Sequence, residues 1–205
     1  MLPTRSAAAI LITTATAFTI AACSSRPAPT QENFKAAVQA YLDKKSAVCV
    51  QSPSDAFPFD APKSTHMGVD DFDRAQALSS ADLLNASSGK IAFRGDKSLM
   101  VEGAHFVLTE NGKRFLVPAG KVNINPSFCG GKANLQELFV VTPPTGTDVG
   151  SLAIVRFGYV VTDAPEWARN AKMQKAFSQD LRAVGHTTYQ QMSIELTKDG
   201  WTAAY

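Results

Sequence analysis

The chain has few residues that carry chemistry. Its 205 residues include only three histidines, three cysteines and two tryptophans. No Gly-x-Ser-x-Gly elbow, phosphate-binding loop or paired zinc-ligand motif occurs, so the familiar signatures of nucleophilic, phosphoryl-transfer and zinc chemistry are missing. An excess of charge of either sign is missing too: 20 Lys and Arg stand against 18 Asp and Glu. So close a balance leaves no electrostatic footprint for nucleic acid. Long apolar runs are scarce. The uncharged stretch from Ser6 to Ile20 is about 15 residues, rich in Ala and Thr, against the roughly 20 needed to span hydrocarbon.

That stretch is informative in another way. Arg5 precedes it, and the small residues Ala21 and Ala22 follow it, directly before Cys23. A charged start, a short apolar core and small residues at a cut site make a secretory signal. With the cysteine in place, Ile20-Ala21-Ala22-Cys23 resembles a bacterial lipobox. The resemblance implies cleavage before Cys23, a diacylglycerol on its sulfur and palmitate-like acyl chains. A single chain anchors marginally, whereas two or more hold a protein on a membrane. Ser24, where an Asp would suggest inner-membrane retention, favours the periplasmic face of the outer membrane. Residues 1–22 are thus expected to be a lipoprotein signal peptide. Residues 23–30 form a tether with two prolines, and 31–205 form one domain.

Acylation of Cys23 leaves Cys49 and Cys129, in a compartment where disulfides persist. They are expected to pair with each other.

The domain reads as α+β: an N-terminal amphipathic helix and one later helix packed on a mostly antiparallel sheet. Phe34, Ala37, Val38, Tyr41, Leu42 and Val48 recur at helical spacing behind a Thr30 cap, predicting a helix of about 18 residues that ends at Cys49. Residues 51–67 read as a proline-punctuated loop, and 69–85 as an interrupted helix with Ser80 capping a second turn around Leu83 and Leu84. The period then changes to two. Ile91 and Phe93 make a short strand and Met100 to Leu108 a longer one, with Asn111-Gly112 as a hairpin turn returning through Phe115 and Val117. Val122 with Ile124, Leu138 to Val141 and Leu152 to Val161 are further strands. Asp163 and Pro165 start a helix that Gly185 ends. Met192, Ile194 and Leu196 then alternate up to a turn at Asp199-Gly200 and a last strand through Trp201.

Two resemblances follow from these residues. Ala77 to Leu84, with a hairpin through Leu108-Thr109 and Gly112, resembles the helix-then-wing pattern of winged-helix proteins in shape, without its basic recognition positions. Leu108-Thr109-x-x-Gly112, Phe128-Cys129-Gly130 and the tract from Tyr159 through Asp163 to Trp167-Ala168 resemble a family of uncharacterised proteobacterial envelope lipoproteins. That resemblance implies localisation and no particular activity.

Candidate chemistry is thin. Cys129 before two glycines, with His186 downstream, could be a thiolate and its base, as in a cell-wall hydrolase; a disulfide explains the cysteine more simply. Ser87-x-x-Lys90, with Lys198-Asp199-Gly200, echoes penicillin-binding enzymes, but that chemistry needs the serine at a helix start. His66 with Asp70, Asp71 and Asp73 could ligate a divalent cation, but EF-hand spacing and its glycine are missing, and a solvated acidic helix start accounts for them more simply. Glu102 and His105, three apart on a strand, point to opposite faces. Glu166 fits a helix dipole. No catalytic residue, metal or cofactor is expected. The reading is a lipid-anchored, periplasm-facing, non-enzymatic binding or accessory module. Its partners would be the membrane, through Cys23, and an envelope protein or small ligand.

Overall fold

The computed structural model describes residues 28–63, 70–120 and 124–204. The signal segment with Cys23, His66 and Val122 lie outside these. Among the described residues five helices and ten strands form three antiparallel sheets, an α+β fold.

Helix α1 (Gln31–Asp43) begins where Thr30 accepts a hydrogen bond from the Asn33 amide. It ends earlier than its stripe suggests. Val48 and Cys49 belong to strand β1 (Val48–Gln51), which pairs antiparallel with β6 (Ser127–Gly130). A Val-Cys-Val alternation with buried valines fits a half-buried strand better than a fifth helical turn. The proline-rich stretch is not all loop: β2 (Phe59–Pro62) sits at a sheet edge, where proline is tolerated.

Helix α2 (Asp70–Ser80) stops without the expected second turn. The Ser80 hydroxyl donates back to the Ala77 carbonyl at 2.7 Å, and Asp82 takes a left-handed φ of 57°. This aims Leu83 and Leu84 into the core. Strands β3 (Leu84–Phe93) and β4 (Asp96–Leu108) then form one long hairpin, turning at Arg94-Gly95.

Asn111-Gly112 is not a hairpin. Thr109 caps a short helix, α3 (Glu110–Phe115), by accepting from the Gly112 amide at 2.8 Å. Its hydroxyl also reaches the Asp82 and Leu83 carbonyls. Gly112 serves close approach: a Cβ there would lie 2.1 Å from the Leu83 carbonyl oxygen. The winged shape therefore does not form at these residues. The returning strand shrinks to β5 (Leu116–Val117), and Ile124 is exposed outside any strand. Cys129 lies in β6, and the turn follows at Gly131 with φ 76°.

The largest sheet has the order β10-β9-β8-β7, with β7 at Ala133–Thr142, β8 at Leu152–Val161, β9 at Thr188–Thr197 and β10 at Gly200–Ala203. The Asp199-Gly200 turn and the Leu152–Val161 strand match the sequence reading. The later helix does not stay whole. It breaks into α4 (Glu166–Arg169) and α5 (Ala171–Ala176), followed by turns. Asn170 adopts an extended ψ of 132° and caps α5 by accepting from the Lys172 and Met173 amides, the competition with the backbone that disfavours Asn inside helices. Trp167, Met173, Phe177 and Leu181 are nevertheless buried, as the apolar pattern implied.

One core joins all three sheets. Phe34 of α1 meets Trp201 of β10 edge-on at 4.9 Å. A chain of rings, Phe128–Phe57–Phe59–Phe106, links β6 to the β2-β4-β3 sheet at centroid spacings of 6.1, 5.7 and 5.3 Å. Contacts of this kind add about 0.5–1.5 kcal/mol each beyond area burial.

Gly112→Ala is expected to destabilise the protein by about 2–3 kcal/mol, since the obstructing atom is backbone. Gly89→Ala, with nothing near its would-be Cβ, should stay within about 0.5 kcal/mol of wild type. Urea unfolding of the two variants side by side checks both expectations.

Candidate functional site

Cys49 and Cys129 stand opposite each other in the β1–β6 register and form a disulfide, with Cα atoms 4.1 Å apart. The bond closes a sequence separation of 80 residues. Loop-closure entropy for that length is worth about 4.5 kcal/mol. No thiolate is available at Cys129 in this form. His186 is exposed and makes no hydrogen bond to it, so the thiol–imidazole pair is not assembled.

The other expected clusters disperse. Ser87 and Lys90 lie within strand β3, opposite His105 and Glu102. Three apart on a strand, they face opposite ways. Asp71 and Asp73 lie on α2 and are exposed, whereas His66 and the Asp70 side chain lie outside the described residues. Among the described residues no group of three or more His, Cys, Asp or Glu is placed to hold a metal ion. Glu166 occupies the first turn of α4, as expected for a dipole partner.

His105 has a partner that sequence reasoning missed. Its Nδ1 lies 2.7 Å from the Asp60 carboxylate, directly across the β2–β4 ladder. Ser87 faces His105 from the other side, so a carboxylate, an imidazole and a hydroxyl line up across three strands. The hydroxyl makes no hydrogen bond to the ring, and all three residues are exposed on an open strand face. The line therefore lacks the nucleophile–base contact that covalent catalysis uses. Only the strand register reveals this pair, because its members are 45 residues apart in sequence.

A concave feature lies elsewhere. A groove of about 640 Å³ runs between α2 and the α5 segment, walled by Arg74, Ala77, Lys172, Lys175, Phe177 and Asp180. It exists because the later helix breaks. Asn170, at the break, donates from Nδ2 to the Ser80 carbonyl at 3.1 Å and pins α5 to the end of α2. Arg74 lies over the Phe177 ring at 4.7 Å, and one of its terminal nitrogens reaches the Gln51 carbonyl at 3.5 Å. Its Nε is buried without a hydrogen-bond partner among the described residues.

Asp180 complicates that site. Loss of water around its carboxyl raises its pKa, against the opposing pull of Arg74 and Arg182. The residue as a whole keeps solvent exposure, so the effect on stability is small. Tyr189 donates its phenol proton to Glu137 across the outer face of the large sheet, and that bond raises the phenol pKa.

No protein-family model matches the chain, and no curated protein or solved structure matches it significantly. Site chemistry therefore has to be argued from the residues themselves.

Two outcomes follow. Without reductant, neither Cys49 nor Cys129 should be alkylated. Replacing both with Ala should cost about 2–5 kcal/mol, which lowers the melting temperature by roughly 5–15 °C for a domain of this size. For Asp180, the raised pKa means that the folded state prefers the protonated carboxyl. Stability should fall as pH rises from the ordinary value of 3.8 through the raised one. Asp180→Asn should therefore be slightly more stable than wild type at pH about 7 and lose that advantage near pH about 3, as read by urea midpoints.

Proposed function

We propose that this chain is a lipid-anchored, periplasm-facing envelope protein acting as a non-enzymatic binding module. The observation that carries the reading is the fate of the cysteines. The lipobox-like Ile20-Ala21-Ala22-Cys23 accounts for one, and a cross-strand disulfide takes the other two. This division suits an oxidising compartment outside the cytoplasm. It also leaves a cell-wall hydrolase built on Cys129 and His186 without its nucleophile.

Binding is assigned to the groove between α2 and α5. Lys172 and Lys175 stand exposed on its wall, beside Arg74, which stacks on the buried Phe177 ring. These cations suit a partner segment or small molecule that presents a carboxylate. Asp73 and Asp180 on the same wall disfavour polyanions.

The test combines location and function. Wild type should fractionate with membranes and incorporate a labelled fatty acid, while Cys23→Ser should do neither. Equal membrane association of the two proteins would overturn the anchor. In a strain deleted for the protein, Arg74→Ala at normal abundance should fail to restore any deletion phenotype, whereas Cys49→Ala/Cys129→Ala, if it folds, should restore it. Full complementation by Arg74→Ala would remove the groove from the proposal. Failure of an alanine variant at His186 would bring catalysis back.

A further inference from the structure

The end of the large sheet where β7 finishes and β8 begins is unusually apolar for an exposed surface. Phe139, Val140 and Val141 of β7, Val149 of the connecting loop and Leu152 of β8 are each 42–54% exposed. Phe139 pairs with Arg156, Val140 with Val155 and Thr142 with Ile154, with Val141 bulged between the last two pairs, and Leu152 pairs with Glu195 of β9. The loop folds back so that the Thr145 amide donates to the Leu152 carbonyl at 3.0 Å. From Phe139 to Leu152 the sequence holds one charged residue, Asp148. Strand β7 is also the outermost strand of its sheet among the described residues.

The direction of α1 says what this end faces. Gln39 bonds to the Ala133 carbonyl and accepts from the Leu135 amide, whereas Gln31 donates to the Leu138 carbonyl at 3.1 Å. The helix therefore runs antiparallel to β7. Its first residue is level with Leu138, so the chain enters α1 at the end of β7 that carries Phe139–Val141. Cys23 is eight residues before Gln31, a reach of at most roughly 29 Å. An acyl anchor on Cys23 would thus hold the bilayer close to this end of the sheet and far from no part of the apolar patch. Such a short tether gives an effective concentration on the order of millimolar, enough to make a weak surface contact persist.

We propose that this apolar end, centred on Phe139–Val141 with Val149 and Leu152, lies against the membrane interface to which Cys23 is anchored. Exposed apolar side chains beside a membrane tether bury part of their surface at the headgroup boundary. Lys198 and Asp199, in the β9–β10 turn, share this end of the sheet with Asp148. Arg156 pairs with Phe139 and Glu195 with Leu152 on the same surface. With two cations against three anions, attraction to anionic lipid contributes little, and the contact rests on the apolar side chains. The groove between α2 and α5 does not include this surface, so a seated domain leaves its binding face available. The inference depends on acylation of Cys23, as proposed above.

The test uses the full lipidated chain in phosphatidylethanolamine/phosphatidylglycerol vesicles with acyl chains brominated to quench tryptophan. Phe139→Trp is compared with Lys132→Trp, which lies roughly 20 Å away along the same strand line. Trp167 and Trp201 are buried and give a common background. The expected result is strong quenching at position 139, little at 132 and no loss of the difference in high salt. Intact mass separates the two layers of the argument. Missing lipid on Cys23 overturns the anchor and this surface together. Lipid present with equal or no quenching at the two positions overturns the surface alone. Loss of quenching at 139 with crosslinking between copies would assign the patch to a second copy of the chain instead.

Discussion

The pairing of Val48–Gln51 with Ser127–Gly130 is the constraint on which the rest of the molecule depends. Helix α1 directly precedes one strand and β7 directly follows the other. Pairing them therefore sets α1 and β7 side by side, and the disulfide between Cys49 and Cys129 prevents the two halves from separating. Everything between, including the long β3–β4 hairpin and the α3 cap, is held as an 80-residue loop closed at its base. The glutamines of α1 then fasten to β7 at both ends, and Phe34 reaches across the sheet to Trp201.

That clamp gives the domain two ends with different characters. The start of α1, the end of β7 and the loop to β8 lie together, and this end is rich in exposed apolar side chains. The groove draws on other elements: α2, α5 and the turns after α5. With Cys23 anchored and the groove binding as proposed, the domain would orient its site by how it sits on the membrane. Both features stem from backbone hydrogen bonding by side chains. Gln31 and Gln39 do this for α1, and Asn170 for the groove.

Much of the fold was legible because period and punctuation are local. The α1 stripe, the Leu152–Val161 strand and the turn at Asp199-Gly200 depend on residues within a few positions of one another. The errors came where long-range contacts override local preference. Asn111-Gly112 has the composition of a hairpin turn, yet Thr109 caps a helix there because the Leu83 carbonyl packs against Gly112. The later helix has a continuous apolar side, yet Asn170 breaks it by bonding to Ser80, 90 residues away. Val48 fits the α1 stripe and a strand equally, and only β6 resolves the choice.

The sequence by itself determined the α+β class, the presence of two cysteines beyond Cys23 and the absence of any coherent catalytic or metal-ligating motif. These are properties of composition, period and spacing, which survive without knowledge of neighbours. Tertiary structure alone decided that Cys49 and Cys129 meet. It also placed Asp60 beside His105, paired Arg74 with Phe177 over a groove, and brought the Phe139–Val141 surface to the end where the chain enters α1. Each of these joins residues dozens of positions apart. Such distances are set by which strands pair and which helix breaks, and a single sequence encodes that choice only through the whole core at once.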